Sequence, residues 1–288
     1  MYELASEVSI ALRWATECLH SSGVDSPRLD AEILLAHALQ VDRSYLLAHP
    51  ERTLNAAERA RYHQFITRRA QHEPVAYLVG HQEFYGLDFF VSPAVLIPRP
   101  ETELLVEAAI ALGRASQRRP WLAADVGTGS GAIAVSLAVN VPHVRVYATD
   151  ISTEALAVAK ENCRRHGVSE RVILLGGHLL VPLPEPVDCL VANLPYVSYE
   201  EWESLPVGIV AYEPRLALDG GVHGLERISD LLASAEPYLR PGGVILLEIG
   251  ATQGTAVVGL AEKCFPQAQV DLLRDYAGLD RVVRIQMI

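Results

Sequence analysis

The tetrapeptide Asn193-Leu194-Pro195-Tyr196 holds the residue types needed to grip a planar –NH2 group. The Asn193 side-chain oxygen and the Leu194 backbone carbonyl can accept its two hydrogens. Pro195 stiffens the turn, and Tyr196 offers a flat face to an amide or to its methylene stem. On this reading Leu194 acts through its main chain alone. An isolated N-x-P-Y also reads as a plain turn, so its surroundings decide its weight.

A second motif, Asp125-Val126-Gly127-Thr128-Gly129-Ser130-Gly131, follows an apolar run and precedes a helical one. Glycines there let the backbone turn tightly and approach a ligand, and the next helix aims its free N–H groups at the same place. The following apolar run ends in Asp150, an acid placed to accept both hydroxyl hydrogens of a ribose. The combination indicates a nucleoside. NAD is one candidate, but its fingerprint is G-x-G-x-x-G and the spacing here is G-x-G-x-G. That favours S-adenosylmethionine, which has no pyrophosphate to cradle. A tight turn with helix packing and no ligand is the remaining alternative.

Both motifs need a scaffold. Strand-like runs at 122–126, 145–149, 172–175, 188–192, 243–249, 269–273 and 281–286 alternate with helical stretches such as 133–139 and 153–165. Such alternation predicts a mostly parallel sheet covered on both faces, with an antiparallel pair across 276–280. In a doubly wound sheet the first and fourth strands are neighbours at the switch point, where ligands bind. The glycine loop and the tetrapeptide should therefore share one crevice.

Residues 1–75 read as helices only. Ser26-Pro27 predicts a helix start with a serine cap, and Leu29, Ile33 and Ala36 predict its buried face, widened by Leu34 and Leu35. Asn55 and Glu58 predict a capping box before Tyr62, Phe65 and Ile66. Residues 84–91 read as a hairpin around Gly86. The expected organisation is a helical domain over 1–75, a β-hairpin linker over 76–100 and an α/β domain over 101–288.

A net charge of −11, with Lys160 and Lys263 the only lysines, argues against broad nucleic-acid binding, which needs clustered cations. Arg68-Arg69 and Arg164-Arg165-His166 read as solvated helix faces. No apolar run is long enough to span a bilayer, and the acidic start lacks the pattern of a secretion signal. A cytoplasmic protein that does not bind membranes is expected. Cys18, Cys163, Cys189 and Cys264 lie far apart and read as reduced thiols, and no metal site is expected from the histidines.

The chain resembles the N5-glutamine methyltransferases of peptide chain release factors, the PrmC/HemK family, over nearly its whole length. The glycine loop is common to many methyltransferases. More specific are Ile97-Pro98-Arg99-Pro100-Glu101-Thr102-Glu103 and Glu213-Pro214-Arg215-Leu216-Ala217-Leu218, with Leu247-Glu248-Ile249-Gly250 and Gly278-Leu279-Asp280-Arg281 further on. The resemblance implies a Rossmann-like class I methyltransferase fold with a seven-stranded, mostly parallel sheet. It implies S-adenosylmethionine on Gly127, Thr128, Gly129, Ser130, Gly131 and Asp150, with His178 and Asn193 beside it, and a substrate glutamine on Asn193, Leu194, Pro195 and Tyr196. The partner would be a release factor docked by the helical domain and hairpin, with the enzyme a monomer. Three positions depart from the family pattern. Leu194 stands where N-P-P-Y is usual, His178 where an acid near the adenine is frequent, and His223 where G-G-x-D-G is common. A ribosomal-protein glutamine methyltransferase, an adenine-N6 methyltransferase and a catalytically silent binding protein are the alternatives.

Overall fold

The computed structural model describes residues 7–288. Contacts divide it into two units. One comprises the residues up to His81 together with Pro206–Tyr212, the other Gln82–Leu205 and Glu213–Ile288.

The first unit is built from α1 (Val8–Ser21), α2 (Pro27–Leu39), α3 (Arg43–Ala48), α4 (Ala56–Arg69) and α5 (Val75–Val79). Leu12, Leu19, Leu34, Leu35, Tyr62 and Ile66 are central to its core. The capping box opens α4 as expected: Glu58 N–H donates to Asn55 Oδ1 and Asn55 N–H to the Glu58 carboxylate, both at 2.9 Å. One expectation fails in α2: Ser26 makes no capping bond, so Pro27 at the first position acts alone. Of the expected buried face, Leu34, Leu35 and Ala36 are buried, joined by Ala31, Ala38 and Leu39, while Ile33 is partly buried and Leu29 exposed. Arg69 is not on a solvated face: it reaches the buried Asp30 at 2.7 Å. Arg68 pairs with Glu73 at 2.7 Å. Late in the chain, Tyr212 rejoins this unit by donating its hydroxyl to the Gln71 carbonyl at 3.1 Å.

The second unit begins with the hairpin β1 (His81–Phe84) and β2 (Leu87–Phe90). Both turn residues have positive φ, Tyr85 at 53° and Gly86 at 72°, as a two-residue hairpin loop requires. Phe84 and Phe89 are fully buried in the core of this unit, edge to face at 6.0 Å. After α6 (Thr102–Ala115) come β3 (Trp121–Val126), α7 (Ala132–Asn140), β4 (Val144–Asp150), α8 (Thr153–Arg165), β5 (Val172–Gly176) and β6 (Val187–Ala192). The short helix α9 (Tyr199–Trp202) follows; α10 (Val207–Tyr212) belongs to the first unit, and the second resumes with α11 (Glu226–Ser234), β7 (Leu239–Glu248), α12 (Gly254–Cys264), β8 (Gln269–Arg274) and β9 (Asp280–Gln286).

The seven strands lie in the order β5-β4-β3-β6-β7-β9-β8, with only β9 antiparallel to its neighbours. Every residue of β3 and β6 is buried, which explains why each is apolar apart from a single aspartate, Asp125 and Asp188. Alternate residues feed opposite layers: Ala123, Cys189 and Val191 pack with α6 and α7, while Leu122, Ala124 and Leu190 pack with α11 and α12. Among the described residues no helix is long and apolar enough to cross a membrane.

One buried amide ties the hairpin to the glycine loop. Asn162 of α8 accepts from Phe90 N–H (2.8 Å) and donates to the carbonyls of Phe90 (2.9 Å) and Ser130 (2.8 Å). Asn162→Ala would orphan all three backbone groups, so urea unfolding should show a loss of about 2–4 kcal/mol.

Candidate functional site

At the carboxyl ends of β3, β4 and β6 lies a cleft of about 270 Å³. Gly127, Thr128, Gly129, Ser130, Asp150, His178, Asn193, Leu194 and Pro195 all line it, beside the apolar side chains of Val95, Ile151 and Leu179. Gly131 and Tyr196 are not among the lining residues.

The three glycines serve different ends. All have positive φ, at 76°, 55° and 80°. A Cβ on Gly127 would come within 3.2 Å of Leu194 Cδ2, and one on Gly131 within 3.2 Å of Ala159 Cβ on α8. Those two allow close internal packing. Nothing lies within 4 Å above Gly129, so the loop is open to a ligand there. Asp150 holds this loop in place: one carboxylate oxygen accepts from Gly129 N–H and the other from Ser152 N–H, both at 2.9 Å. Each oxygen keeps acceptor capacity toward the cleft. His178 is exposed at the rim.

Asp125 supports the loop from beneath. It is 1 % exposed, and one oxygen accepts from Thr128 Oγ1 (2.6 Å) and Ala134 N–H (3.1 Å). Its other oxygen has no partner. Burial pushes its pKa up to about 7, against the pull of those two donors.

The tetrapeptide leaves β6 beside β3. Asn193 Nδ2 donates to Thr102 Oγ1 at 3.1 Å, and the buried Thr102 also lines the cleft. Leu194 is not the idle side chain expected. It is 4 % exposed and packs on the glycine loop within the sheet's core. Tyr196 is partly buried against that same core layer. Its carbonyl accepts from Gln253 Nε2 at 3.0 Å. Gly220 and Gly224 press onto its backbone, where a Cβ on Gly220 would come within 2.7 Å of Tyr196 Cα. His223, between them in sequence, is exposed, and its N–H donates to Glu226 at 3.0 Å.

Sequence reasoning assigned no role to Thr102, Arg99, Glu213 or Glu248. Arg99 ion-pairs with Glu213, which is fully buried and also accepts from Ile97 N–H at 3.2 Å. That pair joins the 97–103 and 213–218 stretches into one wall of the cleft. Glu248 could have been found by the rule that singled out Asp150, since it is a polar residue ending an otherwise apolar strand.

A seven-stranded sheet with this strand order, and a glycine-loop cleft at its switch point, defines a class I methyltransferase fold. The crystal structure of a methyltransferase from Pyrococcus furiosus has the same fold, at TM-score 0.54 and 20% identity over 77% of this chain and 99% of that one. Residues 11–80 match the PrmC N-terminal domain and residues 102–207 the Methyltransferase small domain. Identity to the release factor glutamine methyltransferase of Moorella thermoacetica is 50%, covering 94% of this chain and 95% of that protein. Identity to the one from Geobacter sulfurreducens is 41%, covering 94% of each. The chain belongs to the release factor glutamine methyltransferase family.

The buried acid under the loop has a measurable consequence. Because Asp125 has a folded pKa raised above its ordinary 3.8, its contribution to stability is complete below about pH 4 and is lost as pH rises through about 7. Asp125→Asn keeps an acceptor for Thr128 and Ala134 and removes the titration. Thermal melts should show that raising pH from about 5 to 8 costs the wild type about 2–3 kcal/mol more than it costs the variant.

Proposed function

We propose that this protein transfers a methyl group from S-adenosylmethionine to the side-chain amide nitrogen of a glutamine in peptide chain release factors. The observation that carries the reading is the Asn193 side chain. With its Nδ2 committed to Thr102, its oxygen is left for the cleft, next to the glycine loop and Asp150.

The residues suit the cofactor. The space above Gly129 admits a ligand against the loop backbone. The acceptor capacity of Asp150 suits a ribose diol, and Ile151 and Leu179 offer apolar walls for a base. When bound, S-adenosylmethionine supplies an electrophilic methyl group on a sulfonium. His178, in place of an acid, can accept from an adenine amino group only through an unprotonated ring nitrogen.

An amide nitrogen is a poor nucleophile because its lone pair is delocalised into the carbonyl. Asn193 Oδ1 and the Leu194 carbonyl accept its two hydrogens, return electron density to nitrogen and fix its direction of attack. Orientation of this kind accounts for much of the acceleration in group transfer. The methylated amide is strongly acidic and loses a proton without a dedicated base. Pro195 stiffens the turn, and Tyr196 is assigned a flat face toward the amide's methylene stem. The helical unit, whose sequence matches the PrmC N-terminal domain, is assigned to docking the release factor.

Incubation with purified release factor should place one methyl group on the glutamine of its Gly-Gly-Gln motif, read by mass spectrometry. Asn193→Ala should cost roughly 2–4 kcal/mol of transition-state stabilisation. Methyl transfer to lysine, to a ribosomal protein or to DNA in place of that glutamine overturns the assignment.

Asp150→Ala should weaken S-adenosylmethionine binding by about 1.5–3 kcal/mol, the scale of charge-assisted hydrogen bonds. Unchanged affinity by calorimetry removes Asp150 from the site.

A further inference from the structure

Behind the tetrapeptide lies a carboxyl group that the mechanism above does not use. Glu248 ends β7, the strand paired with β6, and is 1 % exposed. Neither of its oxygens completes a hydrogen bond to a protein group. Burial pushes its pKa up to about 7. Four groups around it act on the charge: Thr102, Arg281 of β9 and Asn193 pull the pKa back, and Glu101 raises it further. Arg281 is itself held by Asp275 at 3.2 Å. Tyr196 faces it too, its phenol pushed up to about 12 by burial first and by Glu248 second.

The two ends of an asparagine amide are nearly the same size and differ only in hydrogen bonding. Thr102 cannot tell them apart, because a hydroxyl both donates and accepts. A carboxylate can, because it only accepts. We propose that Glu248 is a positioning residue whose ionised carboxylate draws the Thr102 hydroxyl and the Asn193 Nδ2 hydrogens toward itself, and so keeps Asn193 Oδ1 turned to the substrate. This rests on the reading of Asn193 as the acceptor of the glutamine amide.

The protonated acid can donate, so it no longer discriminates. The Asn193 amide is then free to turn its –NH2 into the cleft, where donor would face donor. Glu248 thus makes the acceptor conditional on pH, with the active orientation present above its titration and lost below it.

Two measurements test this. The first needs no substrate. NMR of the full chain should show the Asn193 side-chain amide signals moving with the Glu248 carboxyl titration, and the movement should vanish in Glu248→Gln. Asn193 signals indifferent to that titration overturn the proposal, whether or not the protein methylates anything. The second is the pH profile of kcat at saturating cofactor and release factor. The wild type should rise along an acid limb with its midpoint near 7. Glu248→Gln should lose about tenfold at the plateau and lose the limb, with cofactor affinity within about twofold by calorimetry. A variant that keeps the limb shows that another group, Asp125 among them, governs it and overturns the proposal. Methyl transfer absent from the wild type, with the coupled titration present, supports the positioning role and removes only the functional reading.

Discussion

The parallel pairing of β3 with β6, in register Val126 with Ala192, sets everything at the cleft. Both strands end at one level, so the glycine loop and the tetrapeptide emerge side by side. The connections leaving β3 and β6 run to opposite faces of the sheet, through α7 on one and α11 on the other, which opens a crevice between them. Only strands buried on both faces can occupy this central position, and every residue of β3 and of β6 is buried. Apolar sequence at the middle of the sheet is therefore what delivers polar chemistry at its edge.

The buried acids of this unit fall into two kinds. Asp188 accepts from Leu122 N–H at 2.8 Å and pairs with Arg118 and Arg240, and Glu213 has Arg99 and the Ile97 amide. Those carboxylates are matched by cations and hold elements together. Asp125 and Glu248 have no salt-bridge partner and each leaves oxygen unpaired. An unmatched buried carboxylate is costly, and its proton affinity rises to relieve the cost. A structure concerned only with stability would have an apolar or amide side chain at either place. Both residues instead sit directly behind groups that face the cleft, one under the glycine loop and one behind Asn193.

Much of this was legible in the sequence because it rests on local rules. Strand period, the asparagine–glutamate capping box and the loop between β3 and α7 each depend on neighbours within a few residues. The less legible parts depend on contacts across long stretches of chain. Thr102 meets Asn193 across 91 residues and Ile97 meets Glu213 across 116. The specific stretches around 97–103 and 213–218 could be quoted as a resemblance, but their joint role becomes visible only when the fold closes. The glycines at 220 and 224 are similar. Their reason is the approach of the Tyr196 backbone, which no local pattern announces.

The same distinction resolves the departure at Leu194. Read locally, leucine in place of proline means a looser turn, and the entropic loss from replacing a proline is about 0.4–1 kcal/mol. The folded chain shows the other side of that exchange. The leucine side chain is almost wholly buried against Gly127 and the sheet core, and burying a leucine contributes about 1.5–3 kcal/mol. Packing from the side thus offsets the stiffness lost along the chain. The glycine at 127 is then required twice over, once for its positive φ and once for the room that the leucine occupies.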